Sequence, residues 1–101
     1  MAKFLVVYRG GQPPEDGMTD EGMADWMGWF GSLGPAVTDM GNPFVGATSV
    51  GPDGSRSDDT AGLQGYSIIE ADSLDSAADA ASRCPQLKAG GSVEVYETLP
   101  M

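Results

Sequence analysis

The strongest constraint on this chain is the order in which strand-type and helix-type patterns follow one another. Lys3 to Arg9 is a β-branched and aromatic run closed by Gly10-Gly11, the pattern of a buried strand. The stretch from Gly10 to Gly17, with Pro13-Pro14, reads as a loop. Met23, Trp26, Met27, Phe30 and Leu33 then fall on one stripe at helical spacing. Thr19 is the expected cap of this helix, and Met18 with Met23 forms the expected hydrophobic staple. Gly22, Gly28 and Gly31 each lower its intrinsic helicity by about 1 kcal/mol relative to alanine. Packing rather than propensity must hold it.

Gly34-Pro35 ends the helix, and an extended run follows from Ala36 to Met40. Gly41-Asn42-Pro43 is a turn, with a weaker strand around Phe44 to Val50 and an exposed hairpin loop from Gly51 to Gly62. Tyr66 to Ala71 is an alternating strand. Asp72 or Ser73 caps a second helix with the stripe Leu74, Ala77, Ala78, Ala81 and Cys84, stopped by Pro85. Gly90-Gly91 leads into a last strand, Ser92 to Leu99. The order β-α-β-β-α-β predicts an α+β, ferredoxin-like fold over a single domain, residues 1–101: one antiparallel sheet with both helices on one face.

With Leu5 and Val7, Ile69 and Ala71, and Val93 and Val95 assigned to the helix side, the other side carries Phe4, Val6, Tyr8, Tyr66, Ile68, Glu70, Glu94 and Tyr96. So large an apolar patch calls for cover, and a homodimer through the open sheet face is the simplest cover. Fifteen carboxylates against five Lys and Arg give a net charge of −10. Such a surface repels phosphate backbones, so nucleic acid and anionic membrane are not expected partners. Cys84 is the single cysteine and there is no histidine. Intrachain disulfides and thiolate clusters are therefore excluded, in keeping with a reducing compartment. The apolar start is too short for a signal peptide or a membrane span, and the chain reads as soluble and cytoplasmic. No Walker loop, dinucleotide fingerprint, nucleophile elbow or calcium loop is present, so neither metal nor cofactor is expected.

Several segments resemble the YCII-related domains, relatives of the DGPF proteins: Lys3 to Gly11, Trp26-x-x-Trp29, Leu33-Gly34, Asp39 to Pro43, Gly65 to Ala71, Cys84-Pro85, and Gly90-Gly91-x-Val93-Glu94-Val95-Tyr96-Glu97. The resemblance implies a dimeric α+β barrel, two sheets packed face to face around a cavity. It also implies, for some members, a helix histidine and a strand aspartate acting as an acid–base pair on small organic substrates. On that resemblance Asp39 corresponds to the aspartate, while Trp26 or Trp29 stands in place of the histidine. Asp58-Asp59-Thr60 replaces the Asp-Gly-Pro-Phe signature. Any mechanism needing imidazole is excluded.

Two readings of function follow. In the first the protein binds a small organic ligand, with Trp29, Tyr8, Tyr66, Arg9, Glu70 and Tyr96 lining a cavity between facing sheets. Flat rings stack on tryptophan, and the Arg9 fork suits a carboxylate or a neighbouring acidic side chain. In the second it is a cofactor-free enzyme of the lyase or isomerase type, acting on a small cyclic or aromatic compound. Asp39 is then its acid–base group, unless that carboxylate instead accepts hydrogen bonds from the Gly41-Asn42 turn.

Overall fold

The computed structural model describes residues 2–10 and 20–100. The expected loop at 11–17, the Thr19 cap and the Met18 staple lie outside the described residues. The elements are β1 (Ala2–Arg9), α1 (Asp20–Leu33), a short 3₁₀ turn (Gly34–Ala36), β2 (Val37–Asp39), β3 (Ser49–Val50), β4 (Arg56–Ser57), β5 (Leu63–Ala71), α2 (Leu74–Ala81), a second 3₁₀ turn (Pro85–Leu87) and β6 (Ser92–Glu97). The main sheet runs β2-β5-β1-β6, every described pairing antiparallel. This is the ferredoxin-like α+β arrangement, with the first strand central.

Both helices pack on one face of that sheet. The buried core joins Phe4, Val6 and Tyr8 of β1 to Ile69 of β5, Trp29 of α1, Ala77 of α2 and Cys84. Register explains the grouping: Phe4 lies opposite Ile69, Val6 opposite Ser67 and Val95, and Tyr8 opposite Gly65 and Val93. Leu5 and Val7 were expected on the helix side; β1 has the opposite phase and turns them to the open face. The run Phe4-Leu5-Val6-Val7-Tyr8 is apolar on both sides, so alternation within it selects no phase; the cross-strand partners do. Ile69, Ala71, Val93 and Val95 keep the expected side.

Ser73 caps α2, its Oγ accepting from the Ser76 N–H at 3.1 Å. Ala77 and Ala81 are buried, which brings α2 close to the sheet. Leu74 and Ala78 were expected in this stripe but are exposed. The two alanines use the contact surface of this two-turn helix, and both other positions fall outside it.

The segment after β2 continues along the edge of β5 without forming a strand. Asn42 O accepts from Tyr66 N, Phe44 N donates to Gln64 O, and Pro43 forms a bridge with Gly65. In place of the expected strand from Phe44 to Val50, only Ser49–Val50 pairs, and it does so with Arg56–Ser57 in a separate hairpin. Gly41 has φ +74°, and a Cβ there would overlap the Tyr66 carbonyl. Only glycine brings the chain this close to the sheet. The β1–β5 ladder is irregular at its far end, where Tyr8 pairs with Gly65 but Arg9 with Leu63, leaving Gln64 as the extra residue.

Candidate functional site

A cleft of about 820 Å³ opens between α1 and one end of the sheet. One wall is the α1 stripe, Met23, Trp26, Met27 and Phe30; the opposite wall is the edge segment from Met40 to Phe44. Tyr8, Gly65 and Ser67 form the floor, with Gln86 and Lys88 closing the end beyond α2. The lining is mostly apolar with few polar groups, the usual character of a small-molecule pocket.

The floor is built from the antiparallel neighbours β1 and β5, at a glycine. Gly65, opposite Tyr8, has no side chain to fill the space; a Cβ there would meet Asn42 O and Pro43 Cα at 3.1 and 3.2 Å. Tyr8 is 7% exposed, and its ring meets Trp26 edge-on at 5.1 Å and Trp29 at 6.5 Å. Its Oη lies 2.6 Å from Ser67 Oγ, and Ser67 Oγ donates to the Met40 carbonyl at 2.7 Å. Burial drives the Tyr8 pKa far above the ordinary tyrosine value, against a smaller lowering by the Ser67 bond. The phenol therefore stays protonated. Gln86 Nε2 donates to Arg9 O at 3.2 Å and to Gln64 Oε1 at 2.7 Å. At the rim, Lys88 Nζ stands 3.9 Å from Asp25 Oδ2 of α1.

Of the residues singled out from the sequence, Tyr8 and Tyr66 are brought to this cleft. Tyr66 stacks on Phe44, with ring centroids 5.9 Å apart. Trp29 lies behind the wall instead: it is buried, and its Nε1 donates to Ala80 O at 3.0 Å. Trp26, which the stripe would place in the core, lines the cleft. Arg9, Glu94 and Tyr96 form a cluster on the other side of the sheet, where Arg9 Nη1 bonds Glu94 Oε2 at 2.9 Å and Tyr96 Oη donates to Glu94 Oε1. Those bonds, that from Tyr96 foremost, lower the Glu94 pKa. Glu70 is on the same open face, opposite Lys3.

Asp39 is exposed and accepts from the Gly41 N–H at 2.8 Å, outside the cleft lining. Cys84 is buried, with its pKa pushed by burial up to about 11. Sequence reasoning missed Ser67 and Gln86. Ser67 carried one signal, a small hydroxyl in the middle of an otherwise apolar strand. No helix among the described residues is long and apolar enough to cross a membrane.

Comparison with known proteins adds two findings. The family model described as YCII-related domain matches residues 27–101. Among solved structures, the fold is similar to that of 5-chloro-2-hydroxyhydroquinone dehydrochlorinase from Burkholderia phenoliruptrix AC1100, in complex with 2,5-dihydroxybenzoquinone. That similarity has a TM-score of 0.53 at 22% identity and covers 90% of each chain. The curated proteins gave no match.

Proposed function

Since this chain belongs to the YCII-related domain family, we propose that it binds a small, flat, largely apolar organic molecule in the cleft beneath α1 and works as a homodimer. One observation carries the reading: an apolar cleft of about 820 Å³ ends on a buried pair of hydroxyls, Tyr8 and Ser67. Apolar walls supply the attraction, and a few fixed polar atoms orient the guest. The structural neighbour, solved with a benzoquinone derivative, supports a single-ring guest.

The dimer reading rests on the open face of the sheet, the one turned away from the helices. Leu5 and Ile68 lie together on the open face, beside Tyr96 at 50% exposure. A second copy laid on that face would cover them and give the self-complementary interface of a two-fold dimer.

The test is a thermal-shift screen of the purified protein against single-ring metabolites, repeated with Trp26→Ala. A ligand at about a hundred times its Kd stabilises the fold by roughly 2.7 kcal/mol, and the shift should vanish in the variant. Shifts that persist in Trp26→Ala would place binding elsewhere and end this reading.

A second reading, catalysis without a cofactor, draws on the neighbour's being a dehydrochlorinase. In that reading Asp39 would have to release the Gly41 N–H and turn towards the cleft. Turnover of a chlorinated hydroquinone, followed as chloride release and lost in Asp39→Asn, would support it.

A further inference from the structure

The binding proposed above leaves the class of guest open, and the hydrogen bonds on the cleft floor narrow it. A carbonyl cannot donate, so the 2.7 Å contact between Ser67 Oγ and Met40 O uses the only hydrogen of the serine hydroxyl. In the 2.6 Å contact between Tyr8 Oη and Ser67 Oγ, the tyrosine must then be the donor. The chain of bonds has one direction, from Tyr8 to Ser67 to the Met40 carbonyl. Tyr8 offers the cleft a lone pair and no hydrogen.

Gln86 is in the same condition. Its two amide hydrogens go to Arg9 O and Gln64 Oε1, so towards a guest it can act only through Oε1, as an acceptor. Two polar side chains from different elements, a strand floor and the turn after α2, thus present the same polarity. A guest carbonyl or ether oxygen brought against either one would leave lone pairs facing each other in an apolar enclosure, which costs more than the missing bond alone. A guest hydroxyl satisfies both itself and the protein.

From this directionality, and resting on the binding reading above, we infer that the cleft selects hydroxylated arenes as hydrogen-bond donors, and discriminates against the same rings when their oxygens are methylated. Tyr8 Oη is the specificity-determining acceptor, and Ser67 is the positioning residue that fixes its polarity.

The experiment compares hydroquinone, 4-methoxyphenol and 1,4-dimethoxybenzene by ligand-observed NMR titration against the intact protein, under anaerobic conditions. Hydroquinone should bind about five- to tenfold more tightly than the dimethyl ether, the worth of one neutral hydrogen bond. Tyr8→Phe should erase that ratio while 1,4-dimethoxybenzene still binds. Ser67→Ala returns the Tyr8 hydrogen to the cleft, so the ether should gain affinity and the preference should shrink or reverse. A purely structural serine would weaken all three probes alike. Equal binding of hydroquinone and its dimethyl ether to the unaltered protein, or a ratio unmoved by Tyr8→Phe, overturns the inference and leaves the cleft a binding site. Absence of binding by all three probes overturns both.

Discussion

The Trp29 indole nitrogen donates a 3.0 Å hydrogen bond to the Ala80 carbonyl, so the one buried side chain of α1 also ties that helix to the last turn of α2. A helix weakened by internal glycines needs such an anchor, and the Ala80 carbonyl it meets also accepts from the Arg83 N–H at 3.3 Å. Trp29→Phe should keep most of the packing and lose the bond, at about 0.5–1.5 kcal/mol. Trp29→Ala should cost about 3–5 kcal/mol. Urea unfolding midpoints measure both, and equal losses in the two variants would show that the hydrogen bond is the whole contribution.

Two glycine-to-alanine changes should act in opposite directions. At Gly41 the backbone has φ +74° and the new methyl would overlap the Tyr66 carbonyl, so Gly41→Ala should detach the edge segment and destabilise by about 4 kcal/mol or more. At Gly31, exposed and helical, nothing lies within 4 Å of an added Cβ. Gly31→Ala should therefore stabilise by about 0.5–1 kcal/mol. Melting temperatures of the two variants check the pair directly.

The protein should lose stability in alkali earlier than its acidic surface would suggest. Burial raises the Cys84 thiol from 9.0 to about 11, so the unfolded chain releases this proton first as the pH climbs. Stability from this group is complete below pH 9 and declines up to about 11, by on the order of 2 kcal/mol. Tyr8, also raised, acts in the same direction from its ordinary value of 10.0 upwards. In Cys84→Ala the decline should begin nearer pH 10, as read from denaturant midpoints across pH 8–11. The native thiol should also resist Ellman's reagent at pH 8 until the protein unfolds.

Ile68 stands on the open face between Leu5 of β1 and Asp39 of β2. If a second copy covers that face, Ile68→Glu buries two symmetry-related carboxylates and should convert a dimer to a monomer in light scattering after gel filtration. An unchanged mass with retained fold would remove the open face as the interface.

The order of elements was legible because glycine and proline punctuate the chain between β-branched runs and helical stripes. The strand phase was legible where polar and apolar residues alternate, as in Ser92-Val93-Glu94-Val95, and not in β1, whose two faces are both apolar. The cleft was harder. Tyr8 and Ser67 are 59 residues apart, and their chain of bonds ends on a backbone carbonyl that no side chain announces. Trp26 lies in the apolar stripe of α1 and Trp29 only at its edge, yet the approach of Ala80 seals Trp29 while Trp26 lines the cleft.

The extra residue at Gln64 has a bearing on which length changes the chain can absorb. Sheet pairing is regular from Ala2 to Tyr8 and is offset by one only beyond it. Deleting Gln64 would let Leu63 move up to complete a regular ladder, with every later residue of β5 keeping its side. Deleting Ile68 instead would reverse the facing of one half of β5 and take either Ser67 or Ile69 out of the core. Tolerance to gaps along this strand should therefore be concentrated at its first two positions, next to the cleft, where the chain can lose a residue without refolding its sheet.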